Sequence, residues 1–557
     1  MGRRAVWTAM FGCLTVTVLT FTWQPVWAEP AAGEAPATAR SESRLGGQVA
    51  DESVAELVSD GIRLERGRKW LEAIEFYEKA VKSHPNTPEL EYGLRRSKIY
   101  FGIDRRYTDK SFRGQLLGVA RSESMALFDE VISSVQAKYV DPISVTSLLA
   151  HGTESLYLAL NDDRFREANV PHHLRGRIKG FRDRLREEYW NRPLPTREAG
   201  RQMVNQICDA AERELSVPGS AIVLEYIFGA CNALDDYSGY LTPSRLNDLY
   251  GNIEGEFVGL GIEMRAETGR GMLLVHVIPG GPAEQGGLQP GEHIAAIDGR
   301  DCRNMTTDEA AGYLQGQEGS RVTLEVTGEA GSRNLALVRR PVVVKSVSVV
   351  KMIGEGQDIG YIKLTSFQKS TVEEFDAAVQ QLRQQGMRAL VWDLRGNPGG
   401  LLSTSVELLD RFIADGVLVS TKGRTADQNW SYTAHRQGTL NIPLVLLIDG
   451  DSASASEIVA GAVRDHQRGT IVGRKSYGKW SVQSIFPGSS GTGLRLTTAK
   501  FYSPNGHTLG KIGVKPDVEV PAPVAEEKPR FRKPVDLASD PDVMKALEVI
   551  SEQFAAR

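Results

Sequence analysis

The period of apolar and polar positions changes several times along this chain. After Arg3 and Arg4, an apolar run covers about residues 5–21. Residues 29–50 carry Ala, Glu, Ser and Gly without apolar period and read as a flexible linker. From 51 to 115 the spacing becomes helical, with Gly61, Leu64, Ala73, Tyr77, Ala80 and Pro85 at the packing positions of a helical hairpin. Helical spacing continues through 116–246, where Leu127, Val131, Val135 and Tyr139 recur before Asp141-Pro142 ends the segment. Within it, the charged stretch 162–198 predicts a solvated helical excursion.

Near residue 250, short β-branched runs begin to alternate with Gly/Pro turns, predicting a β-rich module over 247–340. From 341 to 522, apolar strands alternate with amphipathic helices. A strand at 389–392 leads through Gly396-Asn397-Pro398-Gly399-Gly400 to a helix ending near Ile413, and a strand at 444–448 leads to a helix from Ser456 to about Val463. Residues 523–557 read as a tail and a last helix. The expected fold is multidomain α/β, with a helical N-terminal region and a β-rich module inserted before an α/β core. Sites in such a core gather where strands hand over to helices.

The length, 557 residues, implies about three or four domains. Hydrophobic residues at 41% and charged residues at 24% fit a globular protein, and a net charge of −4 argues against nucleic acid as a partner. His172-His173 reads as surface, and neither a metal nor a cofactor is expected. Val26-Trp27-Ala28 places small residues at −3 and −1, so residues 1–28 read as a secretory signal. The expected location is periplasmic or extracellular, with a membrane anchor if the signal is retained. Cys13 lacks a lipobox leucine, which argues against a lipoprotein. Of the other three cysteines, a Cys208–Cys231 disulfide and three unpaired core thiols both remain open.

The 51–115 hairpin is similar to a tetratricopeptide unit. One such unit cannot bury its own face, so docking on the next domain is expected, with an adaptor surface as the alternative. In the β-rich module, Gly259-Leu260-Gly261-Ile262 precedes Leu274-Val275-His276-Val277-Ile278-Pro279-Gly280-Gly281-Pro282-Ala283, then Gly286-Gly287-Leu288-Gln289-Pro290-Gly291-Glu292 and Asp298-Gly299. This run resembles a PDZ domain. The resemblance implies that the backbone of 259–262 receives the free carboxylate of a peptide, whose main chain adds to a sheet edge.

Asp451-Ser452-Ala453-Ser454-Ala455-Ser456-Glu457 follows an apolar strand and opens a helix, whose free N–H groups suit a developing oxyanion. The same residues satisfy a capping box, Ser454-x-x-Glu457. The next segment, Gly473-Arg474-Lys475-Ser476-Tyr477-Gly478-Lys479-Trp480-Ser481-Val482-Gln483, decides between them. Together these runs resemble the carboxyl-terminal processing (tail-specific) protease family over roughly 120–145 and 220–520. The resemblance implies Ser454 as nucleophile and Lys479 as base, with Gln483 beside it. It also implies an oxyanion hole from Ala455 with Gly399 or Gly400, in Asp393-Leu394-Arg395-Gly396-Asn397-Pro398-Gly399-Gly400. Leu234-Asp235-Asp236-Tyr237-Ser238-Gly239-Tyr240-Leu241 and the run Lys500 to Asp517 extend the likeness. The implied activity is serine-type endopeptidase action on exported proteins chosen by their C-terminal tails; the rival reading is an inactive PDZ scaffold.

A lysine acts as base only when neutral, and its ordinary pKa is about 10.4. Bringing it to about 7 costs about 4.6 kcal/mol at roughly 1.36 kcal/mol per pH unit, which demands a dry pocket with a neutral neighbour. Trp480 stands where the family has glycine and is expected to reshape access to Lys479 or dry it further. Ser452 and Ser456 are rival nucleophiles whose expected roles are turn and helix-start hydrogen bonds. Gly473-x-x-x-x-Gly478-Lys479 also approaches a phosphate-binding loop, but Trp480 replaces the Ser or Thr needed for Mg²⁺.

Overall fold

The computed structural model describes residues 53–329, 331–435, 438–508, 510–522 and 536–555; the expected signal, linker and part of the tail lie outside them. The helices Val54–Arg66 and Trp70–Ser83 form the expected hairpin. Tyr77 fills the space left by Gly61 and Gly93, where an added Cβ would come within 2.1 and 2.4 Å of its ring. The third helix, Pro88–Thr108, docks this hairpin on the rest. Its Ile99, Ile103 and Tyr107 belong to the core shared with Arg121–Lys138, Val145–Ala159, Arg197–Leu215 and Gly219–Cys231. Gly219–Cys231 is buried almost all round. Gly229 lets it approach Val145–Ala159 so closely that a Cβ would stand 2.6 Å from the His151 carbonyl.

One expectation changes here, and one open alternative closes. The charged stretch 162–198 is docked rather than solvated: Phe165, Ile178, Phe181 and Leu185 recur at helical spacing and are buried, while the arginines cover the outer face. Cys208, Cys231 and Cys302 are all free thiols. Cys208 Sγ contacts the carbonyl of Gly219 at the start of the 13-residue helix whose last residue is Cys231. A helix of that length separates the two by far more than the roughly 4.4–6.8 Å a disulfide allows between Cα atoms.

The β-rich module is a sheet ordered Ile262–Glu267, Gly271–Val277, His293–Ile297, Arg321–Gly328, Gly331–Val338, with Arg300–Asp301 paired to His293–Ile297. It is joined to the core by an antiparallel ribbon of Glu256–Gly259 and Arg340–Val343. The helix Thr307–Leu314 ties it to the helical region, with Asp308 beside Arg105 and Arg245 and Glu309 beside Arg164.

In the core, Val347–Ile353 runs antiparallel to Ile359–Leu364, and parallel pairing continues through Ala389–Asp393, Leu444–Ile448, Thr470–Gly473 and Val518–Glu519. The strands read as unbroken apolar runs because both faces are covered. Leu390, Trp392, Leu446 and Ile448 face the helices Thr371–Gln384, Leu402–Leu409 and Ala455–Asp465. Val391, Val445, Leu447 and Val472 face the last helix, Pro541–Ala555. A second, antiparallel sheet runs Gly239–Leu241, Gly493–Tyr502, Val417–Gly423, Trp430–Thr433, with Ser481–Pro487 also on Gly493–Tyr502. Leu494 and Leu496 of its long strand enter the helical core, so the helical region and the core are one packed body.

Candidate active site

Ser454 sits where Leu444–Ile448 hands over to the helix Ala455–Asp465. Its backbone takes φ 55° and ψ −113°, a conformation that costs a side-chain-bearing residue about 1–3 kcal/mol and is held only by its surroundings. Those surroundings are the neighbouring serines. Ser452 Oγ donates to the Leu394 carbonyl at 2.8 Å and accepts from the Asp449 N–H at 3.0 Å. Ser456 Oγ donates to the Asn397 carbonyl at 2.9 Å. Both are fully buried, whereas Ser454 keeps 7% of its surface exposed. The outer serines stitch the turn to the 394–397 loop, and of the three only the middle one keeps any exposed surface.

Lys479 is 2% exposed. Its Nζ donates to Gln483 Oε1 at 2.7 Å and lies 4.7 Å from the centre of the Tyr237 ring. Gln483 Nε2 donates to Ser481 Oγ at 2.8 Å, which turns the amide oxygen toward the amine. Tyr237 comes from the segment between the helical region and the first short strand. Ser238 fixes that segment by accepting from the Thr497 N–H at 3.0 Å. The pocket is thus lined by an aromatic ring and a neutral amide, and one wall belongs to the helical region.

One carboxylate ties serine to lysine. Glu457 Oε2 accepts from the N–H groups of Ser454 and Lys479 at 2.9 and 2.8 Å. Glu457 Oε1 accepts from Ser476 Oγ and the Gly478 N–H, both at 2.6 Å. The sequence shows Glu457 only as a capping residue; its long-range partners come from the lysine loop. Burial pushes its carboxyl up to about 7 although all four bonds favour the ionised form.

Gly399 packs directly on this turn: a Cβ there would stand 2.7 Å from Ser454 Cβ and 2.9 Å from the Ala455 nitrogen. Its own N–H is committed to Asn397 Oδ1 at 2.8 Å, and its carbonyl accepts from the Phe367 N–H. The N–H groups of Gly400 and Ala455 make no hydrogen bond among the described residues. Of the two candidate glycines, Gly400 is therefore the one with a donor to offer.

Trp480 does not line the lysine pocket. Lys479, Ser481 and Gln483 alternate onto one side of the chain, and Trp480 and Val482 onto the other. The indole stacks on Phe501 with centroids 4.6 Å apart and passes Gly461, where a Cβ would lie 3.2 Å away. The glycine on the helix makes room for the ring.

In the β-rich module, Leu260 is buried in its core, and the carbonyls of Leu260 and Gly261 accept inward bonds from Ala283 and Ile278. The N–H groups of Leu260 and Gly261 make no bond among the described residues. Gly259 ends the ribbon strand, and Gly261 (φ 78°) turns the chain into the edge strand that begins at Ile262. An unpaired N–H cradle beside a sheet edge suits a peptide carboxylate followed by strand addition.

Residues 358–520 match the profile of Peptidase family S41, and residues 275–327 match that of the PDZ domain. A carboxy-terminal-processing protease of Bartonella bacilliformis is 37% identical over 322 residues, covering 56% of this chain and 73% of that protein. A carboxyl-terminal-processing protease of a Synechocystis species is 34% identical over 345 residues, covering 61% and 75% respectively. The solved structure titled photosystem II D1 C-terminal processing protease aligns at 26% identity and a TM-score of 0.38, covering 71% of this chain and 93% of that one.

Proposed function

This chain belongs to the carboxyl-terminal-processing protease family, the S41 serine peptidases, and from that premise we propose that Ser454 and Lys479 are its catalytic dyad. The observation that supports this reading is the shared Glu457 oxygen, which holds the backbone N–H groups of Ser454 and Lys479 on one atom, while the lysine amine is sealed from water beside a neutral amide.

In the reaction, neutral Lys479 Nζ takes the Ser454 Oγ proton as Oγ bonds to the scissile carbonyl carbon. The carbonyl oxygen, now negative, is met by the N–H groups of Ala455 and Gly400 at the positive end of the helix. The Lys479 ammonium protonates the departing nitrogen, the C–N bond breaks, and an acyl-serine remains. Water then attacks this ester, passing a proton to Lys479, and Ser454 leaves as the hydroxyl with the proton returned. Gln483 orients the amine throughout, and Tyr237 shields it.

The PDZ domain receives the substrate's free carboxylate on Leu260 and Gly261. We place this action in the periplasm or outside the cell, on the strength of the 1–28 signal pattern; N-terminal sequencing of mature protein beginning elsewhere than Glu29 counts against cleavage after Ala28. An adaptor would engage the exposed Leu71 side of the hairpin, and a Leu71→Glu variant with unaltered cleavage in cell extract removes that role.

The decisive test is cleavage of one unfolded substrate carrying either a free or an amidated C-terminus, by wild type, Ser454→Ala and Lys479→Ala. The reading requires both variants to leave the substrate intact and amidation to slow the wild type. Retained proteolysis in either variant refutes the dyad.

A further inference from the structure

A buried charge cluster outside the dyad joins its two loops to the last helix of the chain. Arg395 opens the glycine turn that contains Gly399 and Gly400, and Arg474 opens the loop that ends at Lys479. Both reach the same carboxylate. Asp542, the second residue of Pro541–Ala555, accepts from Arg474 Nη1 and Nη2 at 2.8 and 2.6 Å and from Arg395 Nη1 at 2.7 Å. Asp540 caps that helix, accepting from the N–H groups of Asp542 and Val543, and also receives Arg395 Nη1 at 2.9 Å. The other edge of the Arg395 guanidinium is held by Asp393 at 3.0 and 2.7 Å, where Tyr361 also donates.

Asp393 and Asp542 are nearly fully buried. Burial alone raises a carboxyl, but the arginines outweigh it and hold both below the usual range. A buried ionic cluster is a poor device for stability, since apolar residues of the same volume often do as well. It is a good device for geometry. The forked Arg474 pair and the Arg395 Nη1 bond meet on one carboxylate, while Asp393 holds the Arg395 fork, and together they fix distance and angle between the loops that carry the two arginines.

We propose that Asp542 is a positioning residue for catalysis: by gripping Arg395 and Arg474 together it keeps the oxyanion turn in register with the lysine loop, making the C-terminal helix a working part of the active site. This rests on the Ser454/Lys479 reading. Asp542 touches neither substrate nor dyad, and it acts through the two arginines.

The test is Asp542→Asn in the full-length protein, with active sites counted by a serine-directed phosphonate. The expected result is a kcat per titrated site lower by about 10- to 100-fold, as for a displacement near 1 Å, with KM changed by less than about 3-fold. Asp542→Glu, which keeps the charge on a longer arm, is expected to recover part of it. A purely structural role lowers the number of titratable sites and leaves kcat per site unchanged, which overturns the proposal. Arg474→Lys, which keeps the charge but loses the fork, decides the matter if Asp542→Asn does not fold; an unchanged kcat per site there overturns it equally. Activity surviving in Ser454→Ala is a separate failure, of the dyad and not of the clamp.

Discussion

Replacing Glu457 by glutamine separates charge from shape at the junction of serine and lysine. The carboxyl is fully buried, and burial raises its pKa from 4.5 to about 7 despite four donors. A folded-state pKa above the unfolded one means that the group's contribution to stability is complete below about 4.5 and is lost as pH rises through about 7. At roughly 1.36 kcal/mol per pH unit the loss is about 3 kcal/mol. Glutamine does not titrate and escapes this loss. It has one acceptor oxygen where the carboxylate has two, so its NH₂ must face one pair of donors, at about 1–3 kcal/mol for each N–H left unpaired.

Urea unfolding of Ser454→Ala with and without Glu457→Gln isolates the effect, because all other titratable groups are shared and self-digestion is prevented. Between pH 4 and pH 8 the form with glutamate should lose about 3 kcal/mol more than the form with glutamine. Parallel curves across that range refute the reasoning. In otherwise wild-type protein at pH 8, Glu457→Gln should also lower kcat by about 100-fold, since Ser454 and Lys479 no longer share one anionic acceptor.

Gly400→Ala places a Cβ 2.1 Å from the Phe367 carbonyl at φ 150°, and should cost kcat about 100-fold or more while tail-peptide affinity of the PDZ domain, read by calorimetry, stays level. Ser452→Ala removes the acceptor of the Asp449 N–H and one of the two donors to the Leu394 carbonyl, which keeps the Asn397 N–H; it should lower unfolding stability by about 1–3 kcal/mol yet retain proteolysis that Ser454→Ala abolishes. Trp480→Phe keeps a ring on Phe501 and removes an indole N–H that has no acceptor among the described residues, so kcat should change by less than about 3-fold, whereas a larger fall places the ring in the lysine pocket after all.

Local pattern reached far into this protein. The strand Leu444–Ile448 and the helix after Ser454 follow from an apolar run meeting a capping sequence, and the change of period near residue 250 marks the PDZ domain. Ser454, Lys479 and Gln483, the proposed nucleophile, base and orienting amide, stand out through the resemblance of two short segments to the family's runs. Partners distant along the chain left no such trace. Tyr237 lies in the 234–241 run that extends the family likeness, yet nothing in that run assigns it to Lys479 until the ring is seen 4.7 Å from the amine, and Asp542 is one acidic residue near a helix start until two arginines converge on it. Trp480 misled because strand alternation, which sends it toward Gly461, begins at a residue whose orientation is set by the fold.

The amino-acid order by itself therefore settled the kinds of element, the kinds of domain and the chemical types needed for hydrolysis, since these depend on period, composition and short spacing. Only the folded chain decided which glycine keeps an uncommitted N–H, which of three serines keeps exposed surface, and which distant carboxylates hold the loops in place. Those outcomes turn on hydrogen bonds between segments up to 147 residues apart, and a donor's freedom is known only once every competing acceptor has been placed.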